Sequence, residues 1–416
     1  DNMKKTLVVL SLVLVAVVLL AFTLVSCGGE EVTTTTPVAT TPKAPVVTTP
    51  VATQPGNATA TPTTTATPGT STVITTTPGT STAITTTPGT STAITTTPGT
   101  TTPVTSSFAP NAEGVYEIGS AEDLIAFKNE ADGLGKAYTG KLTADIDMTG
   151  KDWIPFESFD GTIDGNGHVI SGINRVDDEF IGGGCGILVN YLEAGGVIKN
   201  LTLKNCSLTA IAPELGTIAR SFVGGVAGFA DRGHFENIKL ENVDISLTGV
   251  FGEQINVGGI CGCAQSNSTV TNAISFYGCT LDENSSVYAV GTGRAPNCGG
   301  IVGSTDGTAE DKLEMKDCVN YASITSSDWT AGLLGSGSAK GANTITNCKN
   351  YGNINSTGDA AASLVASAGK HPMTIKNCVA GGVITCSKVV AGICAVNDTN
   401  VTSENNEEIA IFNPAT

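Results

Sequence analysis

The sequence predicts an all-β fold, a parallel β-helix with a short N-terminal helical cap, preceded by a signal segment and a disordered stalk. Three observations predict it. A glycine block, of which Val223-Gly224-Gly225-Val226-Ala227-Gly228 is one copy, returns every 29 to 41 residues between 186 and 392. Between the blocks lie strands of alternating apolar and polar residues that often close on Asn-Cys, the period-2 pattern of half-buried strands. The composition also fits. Charged residues are 14 %, against roughly 25 % in an average soluble domain, and aromatics are 5 %. With 50 glycines in 416 residues the chain is poor material for long helices and must build its core from small and β-branched side chains.

Residues 1–27 read as a lipoprotein signal peptide. Met3-Lys4-Lys5 opens a basic region, and Leu7 to Val25 follows without a charge. That run of 19 residues is long enough to span a bilayer as an uncleaved anchor. Its ending, Leu24-Val25-Ser26-Cys27 before Gly28-Gly29, resembles the bacterial lipobox instead, and small residues flank the cleavage point as a signal peptidase requires. The resemblance implies that Cys27 carries the lipid and that the remainder is extracytoplasmic, lipid-anchored at the cell surface of a bacterium.

Residues 28–107 read as a stalk. Thr, Pro, Ala, Val and Ser dominate it, and a ten-residue repeat places prolines at Pro68, Pro78, Pro88 and Pro98. Nothing in this segment offsets the entropy of ordering, so disorder is expected. In an extended polyproline conformation, at ~3.1 Å per residue, Val32 to Ser107 would reach on the order of 240 Å.

Residues 108–180 read as the cap and first coils. Ser120-Ala121-Glu122-Asp123 has the form of a capping box, and a short helix is expected to run to about Glu130, covering the open edge of the first coil. A strand is expected over Lys141–Met148, then a turn at Asp164-Gly165-Asn166-Gly167 in which the aspartate caps its own backbone.

Residues 181–416 read as the repeat array. One expected interior ladder is Val226, Ile260, Ile301, Leu333, Leu364 and Ile393. A second is Cys206, Val243, Cys279, Cys318, Cys348 and Cys378. The residues just after the first ladder (Ala227, Cys261, Val302, Leu334, Val365, Cys394) are equally apolar, and strict alternation would turn one of these two sets outward. The second residue of the glycine pair is placed at 186, 225, 259, 300, 332, 363 and 392. Stacked cysteines lie within disulfide reach, but in-register parallel neighbours rarely attain the torsion, so mostly reduced ladders are expected.

The helix at Glu122-Asp123-Leu124, the Leu142-Thr143-Ala144-Asp145-Ile146-Asp147-Met148 strand, Trp153-Ile154-Pro155, the Phe159-to-His168 segment and the recurrent Gly-Gly-Ile-x-Gly block together resemble bacterial GLUG-motif surface proteins. The resemblance covers roughly Val115 to Ala395. It implies an exported, repeat-rich, right-handed β-helix of the kind found in adhesin-like surface proteins, and it brings no catalytic motif with it.

The net charge of −17 falls entirely after residue 107, since three acids and three bases cancel before it. Such a surface repels phosphates, so nucleic acid is not an expected partner. The histidines His168, His234 and His371 form no H-E-x-x-H pattern, and Cys261-x-Cys263 is too tight for a zinc pair. Carboxylate pairs at Asp145/Asp147, Asp160/Asp164 and Asp177/Asp178 are the candidates for glycoside hydrolysis, and Asp160 with Asp164 for Ca²⁺. Turn chemistry is the stronger reading for these residues, and no catalytic, metal or cofactor site is expected. Trp153, Trp329 and the equivalent pair Tyr321 and Tyr351 are the side chains suited to stacking on sugars. The expected function is a lipid-anchored surface protein presenting an adhesive or ligand-binding β-helix to a glycan or a host or matrix protein. The alternatives are a polysaccharide-degrading lyase or glycosidase on the same solenoid and a structural envelope protein.

Overall fold

The computed structural model describes residues 108–414 except 194, 213–219, 267–273 and 308–311. The signal segment, Cys27 and the stalk lie outside the described residues. What is described is a parallel β-helix: every strand pair has parallel register, and the strands form three sheets, which we call faces. The first face holds 23 strands, the second seven and the third eight. One coil runs along the first face, crosses to the second, turns sharply to the third and returns to start the next coil. One continuous hydrophobic core runs from Tyr116 to Cys394, so the cap and the repeats share an interior, and a small second cluster of Phe222, Phe229 and Cys263 lies apart from it.

Ser120 caps the helix α1 (Ala121–Ala131), accepting a hydrogen bond from the Asp123 backbone N–H at 3.1 Å. The reciprocal bond goes to Gly119, one residue earlier than the simplest capping box would place it. Phe127 on α1 is fully buried and meets Phe156 and Phe159 edge-on at 5.9 and 6.1 Å. A wholly buried Phe contributes on the order of 1.5–3 kcal/mol, which fixes the helix over the end of the rod.

The expected strand Lys141–Met148 is broken. Thr139–Leu142 and Ile146–Asp147 are strands, and a bend separates them. The turn that follows is as read: Asp164 accepts from the Asn166 N–H at 2.9 Å, and Asn166 and Gly167 both have positive φ.

The first face is kinked rather than flat. Asn200, Asn237, Asp317, Asn347 and Asn377 each take the left-handed conformation, and each is followed by an inward residue. Asparagine tolerates this region at little cost. Stacked side chains then bond along the rod, with Asn237 Nδ2 donating to Asn200 Oδ1 at 3.0 Å and Asn347 Nδ2 donating to Asp317 Oδ1 at 3.1 Å.

This kink corrects the cysteine ladder. Leu201 pairs with Ile238, and the register carries that column on through Cys279, Cys318, Cys348 and Cys378. Cys206 and Val243 pair with each other in a separate column after a second left-handed pair, Asn205 and Asn242. Two Asn turns five residues apart look alike in sequence, and in the later coils the first of them is held by Gly278, Asp317, Asn347 and Asn377. All eleven cysteines after Cys27 are buried and unbridged.

The glycine block is the corner between the second and third faces. Gly224 ends one strand, Ala227 begins the next, and Gly225-Val226 makes the bend. Because the bend falls between them, Val226 and Ala227 both point inward, and so do their counterparts Ile260 and Cys261. That settles how two adjacent apolar ladders coexist. The first block differs from the expected alignment: Gly186 pairs with Gly224, so Ile187, not Gly186, occupies the corner. The glycines are required by contact. A Cβ on Gly262 would stand 2.5–2.7 Å from backbone atoms of Val223, Gly228 and Phe222, because the two faces touch main chain to main chain.

Candidate functional site

Of the six candidate carboxylates, Asp145, Asp147, Asp160 and Asp164 accept hydrogen bonds from backbone N–H groups. Asp160 accepts from the N–H groups of Gly135 and Ala137. Asp164 accepts from Asn200 Nδ2 at 3.0 Å. Burial pushes the Asp164 carboxyl up, but that bond, the Asn166 N–H and nearby Lys199 outweigh it and hold it below its ordinary value. Asp145 accepts from the Val169 N–H and the His168 ring, whereas Asp147 turns to the Thr149 N–H. The break in the strand therefore removes the premise that these two share a strand face. Asp177 lies 3.7 Å from Arg175. Among the described residues no three Cys, His, Asp or Glu side chains converge as metal ligands.

The sequence pointed to no partner for His234. The structure supplies one: Nδ1 of His234 lies 2.5 Å from Oγ of Ser275, its neighbour one coil on. Beside them Tyr277 donates to Glu314 at 2.5 Å, and Lys312 holds the other Glu314 oxygen at 2.8 Å. Burial and then the Glu314 carboxylate push the Tyr277 hydroxyl up to about 12. Ser275 is only 2 % exposed, so the pair is a cross-coil tie closed to substrate.

Of the four aromatic candidates, Trp153 is a packing residue. Its Nε1 donates to the Ile187 carbonyl at 2.8 Å, and its ring meets Phe156 edge-on. Tyr321 and Tyr351 stack at 5.4 Å with 21° between planes and stand partly exposed on the first face. Trp329 has a different setting.

At the glycine corner the outer surfaces of the second and third faces turn toward each other and enclose a wedge-shaped cleft along the rod. Its walls are two columns. On the second face Phe222, Asn256, Asn297 and Trp329 are in register. On the third, Tyr191, Phe229, Cys263, Ser304 and Ser336 are in register. At the cap-proximal end large rings fill the wedge, with Phe222 5.4 Å and Tyr191 6.0 Å from Phe229. Farther along, the wall residues shrink to Asn, Ser and Cys, and the wedge opens into a cavity of about 240 Å³. Trp329 stands at its mouth, half-buried, with Asn297, Ser304, Ser336, Gln254 and Arg294 around it. Asp328 is the one carboxylate of the lining among the described residues, and burial raises its pKa. Trp329 was visible in the sequence as an aromatic. Its partners were not, because they come from other coils.

No family model matches the chain. In sequence, it is 32 % identical over 179 residues to halomucin of Haloquadratum walsbyi; the match takes in 39 % of this chain and spans about 2 % of that protein's length. In structure, the chain is similar to a candidate immunoglobulin A1 protease from Bacteroides ovatus, at 21 % identity and TM-score 0.47, covering 73 % of this chain and 86 % of that one. It is also similar to an IgA1 protease at 17 % identity and TM-score 0.43, covering 70 % of this chain and 21 % of that one.

Proposed function

We propose that this chain is a bacterial cell-surface lipoprotein, held to the membrane through Cys27, whose stalk presents the β-helix as an adhesive or ligand-binding domain. The observation that carries this reading is the open wedge beside Trp329. It offers an aromatic and several polar side chains to a ligand, while among the described residues its lining holds a single carboxylate. A glycosidase needs two carboxyls about 5–9.5 Å apart across its cleft. The lipobox-like Leu24-Val25-Ser26-Cys27 and the Thr/Pro stretch behind it support export and display. The anchored partner is the membrane, and the recognised partner is a glycan or a host or matrix protein outside the cell.

The test is in cells. Cys27→Ala is expected to abolish incorporation of labelled palmitate and leave an uncleaved precursor. Wild-type cells are expected to lose the 108–416 region to external protease. Persistent labelling of the variant, or a domain that protease cannot reach on intact cells, would overturn the reading.

A further inference from the structure

Resting on the reading of the rod as a displayed binding domain, we infer that the wedge beside Trp329 is a carbohydrate site that takes one uncharged pyranose ring of a glycan. Three features of the cleft point to it. The first is size. Pockets for drug-sized ligands run to about 300–1,000 Å³. At about 240 Å³ this cavity suits a single ring of a polymer whose remainder stays in solvent.

The second is chemistry. The ring of Trp329 offers an apolar face to the C–H side of a sugar. Its indole N–H and the side chains of Gln254, Arg294 and Ser336 have no hydrogen-bond or ion-pair partner among the described residues. Asn297 spends Nδ2 on Asn256 Oδ1 at 2.8 Å, which leaves its own Oδ1 as an acceptor at the mouth. Ser304 makes one long bond, to the Thr305 carbonyl at 3.3 Å. Arg294 is exposed at the rim, but a half-buried indole together with the half-buried Gln254 and the buried Ser336, none with a partner among the described residues, forms a surface that gains from hydroxyl-rich ligands, since unpaired buried polar groups are costly. One coil nearer the cap, Asn256 is completely buried, and its Nδ2 has no partner beyond the neighbouring Cys263 thiol, a weak acceptor.

The third is charge. Among the described residues of the lining the charged side chains are Arg294 and Asp328, one of each sign, and the chain's full excess of 17 negative charges lies after residue 107. That field opposes uronate or sialylated chains, which leaves neutral hexose or N-acetylhexosamine units as the ligand class.

The chain has two tryptophans, so indole ¹⁵N resonances of the full chain report each separately. The probes are tetrasaccharides of glucose, mannose, N-acetylglucosamine and galacturonic acid. At least one neutral tetrasaccharide is expected to shift the Trp329 resonance and leave Trp153, at the capped end, unmoved. Trp329→Ala is expected to weaken that binding at least tenfold, and Ser336→Tyr, which fills the wedge from the opposite wall, to abolish it. Both variants are to keep the wild-type melting profile, and Ser336→Tyr decides the matter if Trp329→Ala does not fold. The inference fails if no neutral probe moves Trp329, if only the galacturonate does, or if Ser336→Tyr binds like the wild type. Those failures would leave lipidation and surface display intact, and a failure of display would leave the titration intact, so the two readings are separable.

Discussion

Asn320 donates from Nδ2 to Oδ1 of Asn350 across 2.8 Å, and both side chains are completely buried in the rod. Each also ties down its own turn, Asn320 to the Ala322 carbonyl and Asn350 to the Gly352 carbonyl. One coil earlier the same column holds Leu281, and one coil later Ala380. All three larger side chains sit beneath the second glycine of their corner: Leu281 beneath Gly259, Asn320 beneath Gly300, Asn350 beneath Gly332. A polar pair thus replaces apolar packing for two coils without change of shape.

That equivalence predicts a non-additive cycle. Asn350→Leu leaves Asn320 with a buried N–H that has lost an acceptor, and is expected to cost about 1–3 kcal/mol. The double variant Asn320→Leu with Asn350→Leu extends the Leu281 packing and removes both polar groups. It is expected to cost less than the two single variants summed, by urea denaturation. Strict additivity would mean that the asparagines do not act as a pair.

A second expectation concerns the thiols. Cys318, Cys348 and Cys378 share one buried column, and the Cys318 and Cys348 backbone N–H groups each lie 3.4 Å from the sulfur of the next. They should react with thiol reagents only after denaturation. Cys348→Val should cost less than about 1.5 kcal/mol, because Ile238 and Leu201 already fill this column in earlier coils. Cys348→Asp should cost several kcal/mol or abolish folding, with the loss spreading to neighbouring coils. Rapid labelling of the native thiols would refute the register.

The glycine corner gives a third. A methyl group on Gly259 would overlap the Gly300 carbonyl, which is main chain and cannot move aside, and would crowd Leu281. Gly259→Ala is expected to cost at least about 3 kcal/mol, the upper end of overpacking effects. Gly114 has positive φ but open space around it, so Gly114→Ala is expected to cost about 1–2 kcal/mol from backbone strain alone. Equal melting temperatures for the two variants would contradict the close approach of the coils.

Acid should loosen the rod through specific carboxylates. Burial pushes Asp164 and Asp282 up, but bonds from Asn200 to Asp164, and from Ser285 and the Asn242 N–H to Asp282, leave both below their ordinary values. Their folded-state pKa values therefore lie under the unfolded value of about 3.9. The stability they add is complete above that value and is lost as pH falls through the folded ones. Asp328 has the opposite sign, since burial raises its pKa and protonation relieves it. The denaturation midpoint should fall as pH drops below about 4, and Asp164→Asn with Asp282→Asn should flatten that fall. An unchanged slope in the double variant would place the acid sensitivity elsewhere.

Much of the architecture was legible in local pattern. Period-2 alternation marks Ile345-Thr346 and Ile375-Lys376 as strand, Ser120 marks the start of α1, and the repeated Gly-Gly pair marks a recurring corner. Each is a property of a few adjacent residues, and such residues impose their geometry wherever the chain goes. What joins residues of different coils was decided by the tertiary structure. Cys206 and Cys279 each follow a left-handed turn, but only the stacking register shows that they occupy different columns. The polarity of Asn320 gave no sign that it would be buried, because its partner Asn350 lies 30 residues away. The wedge around Trp329 exists because the glycine corner folds two outer faces toward each other; there a Cβ on Gly335 would collide with the Gly303 carbonyl oxygen and stand 2.7 Å from the Cys298 nitrogen, a main-chain approach between coils that owes nothing to the tryptophan.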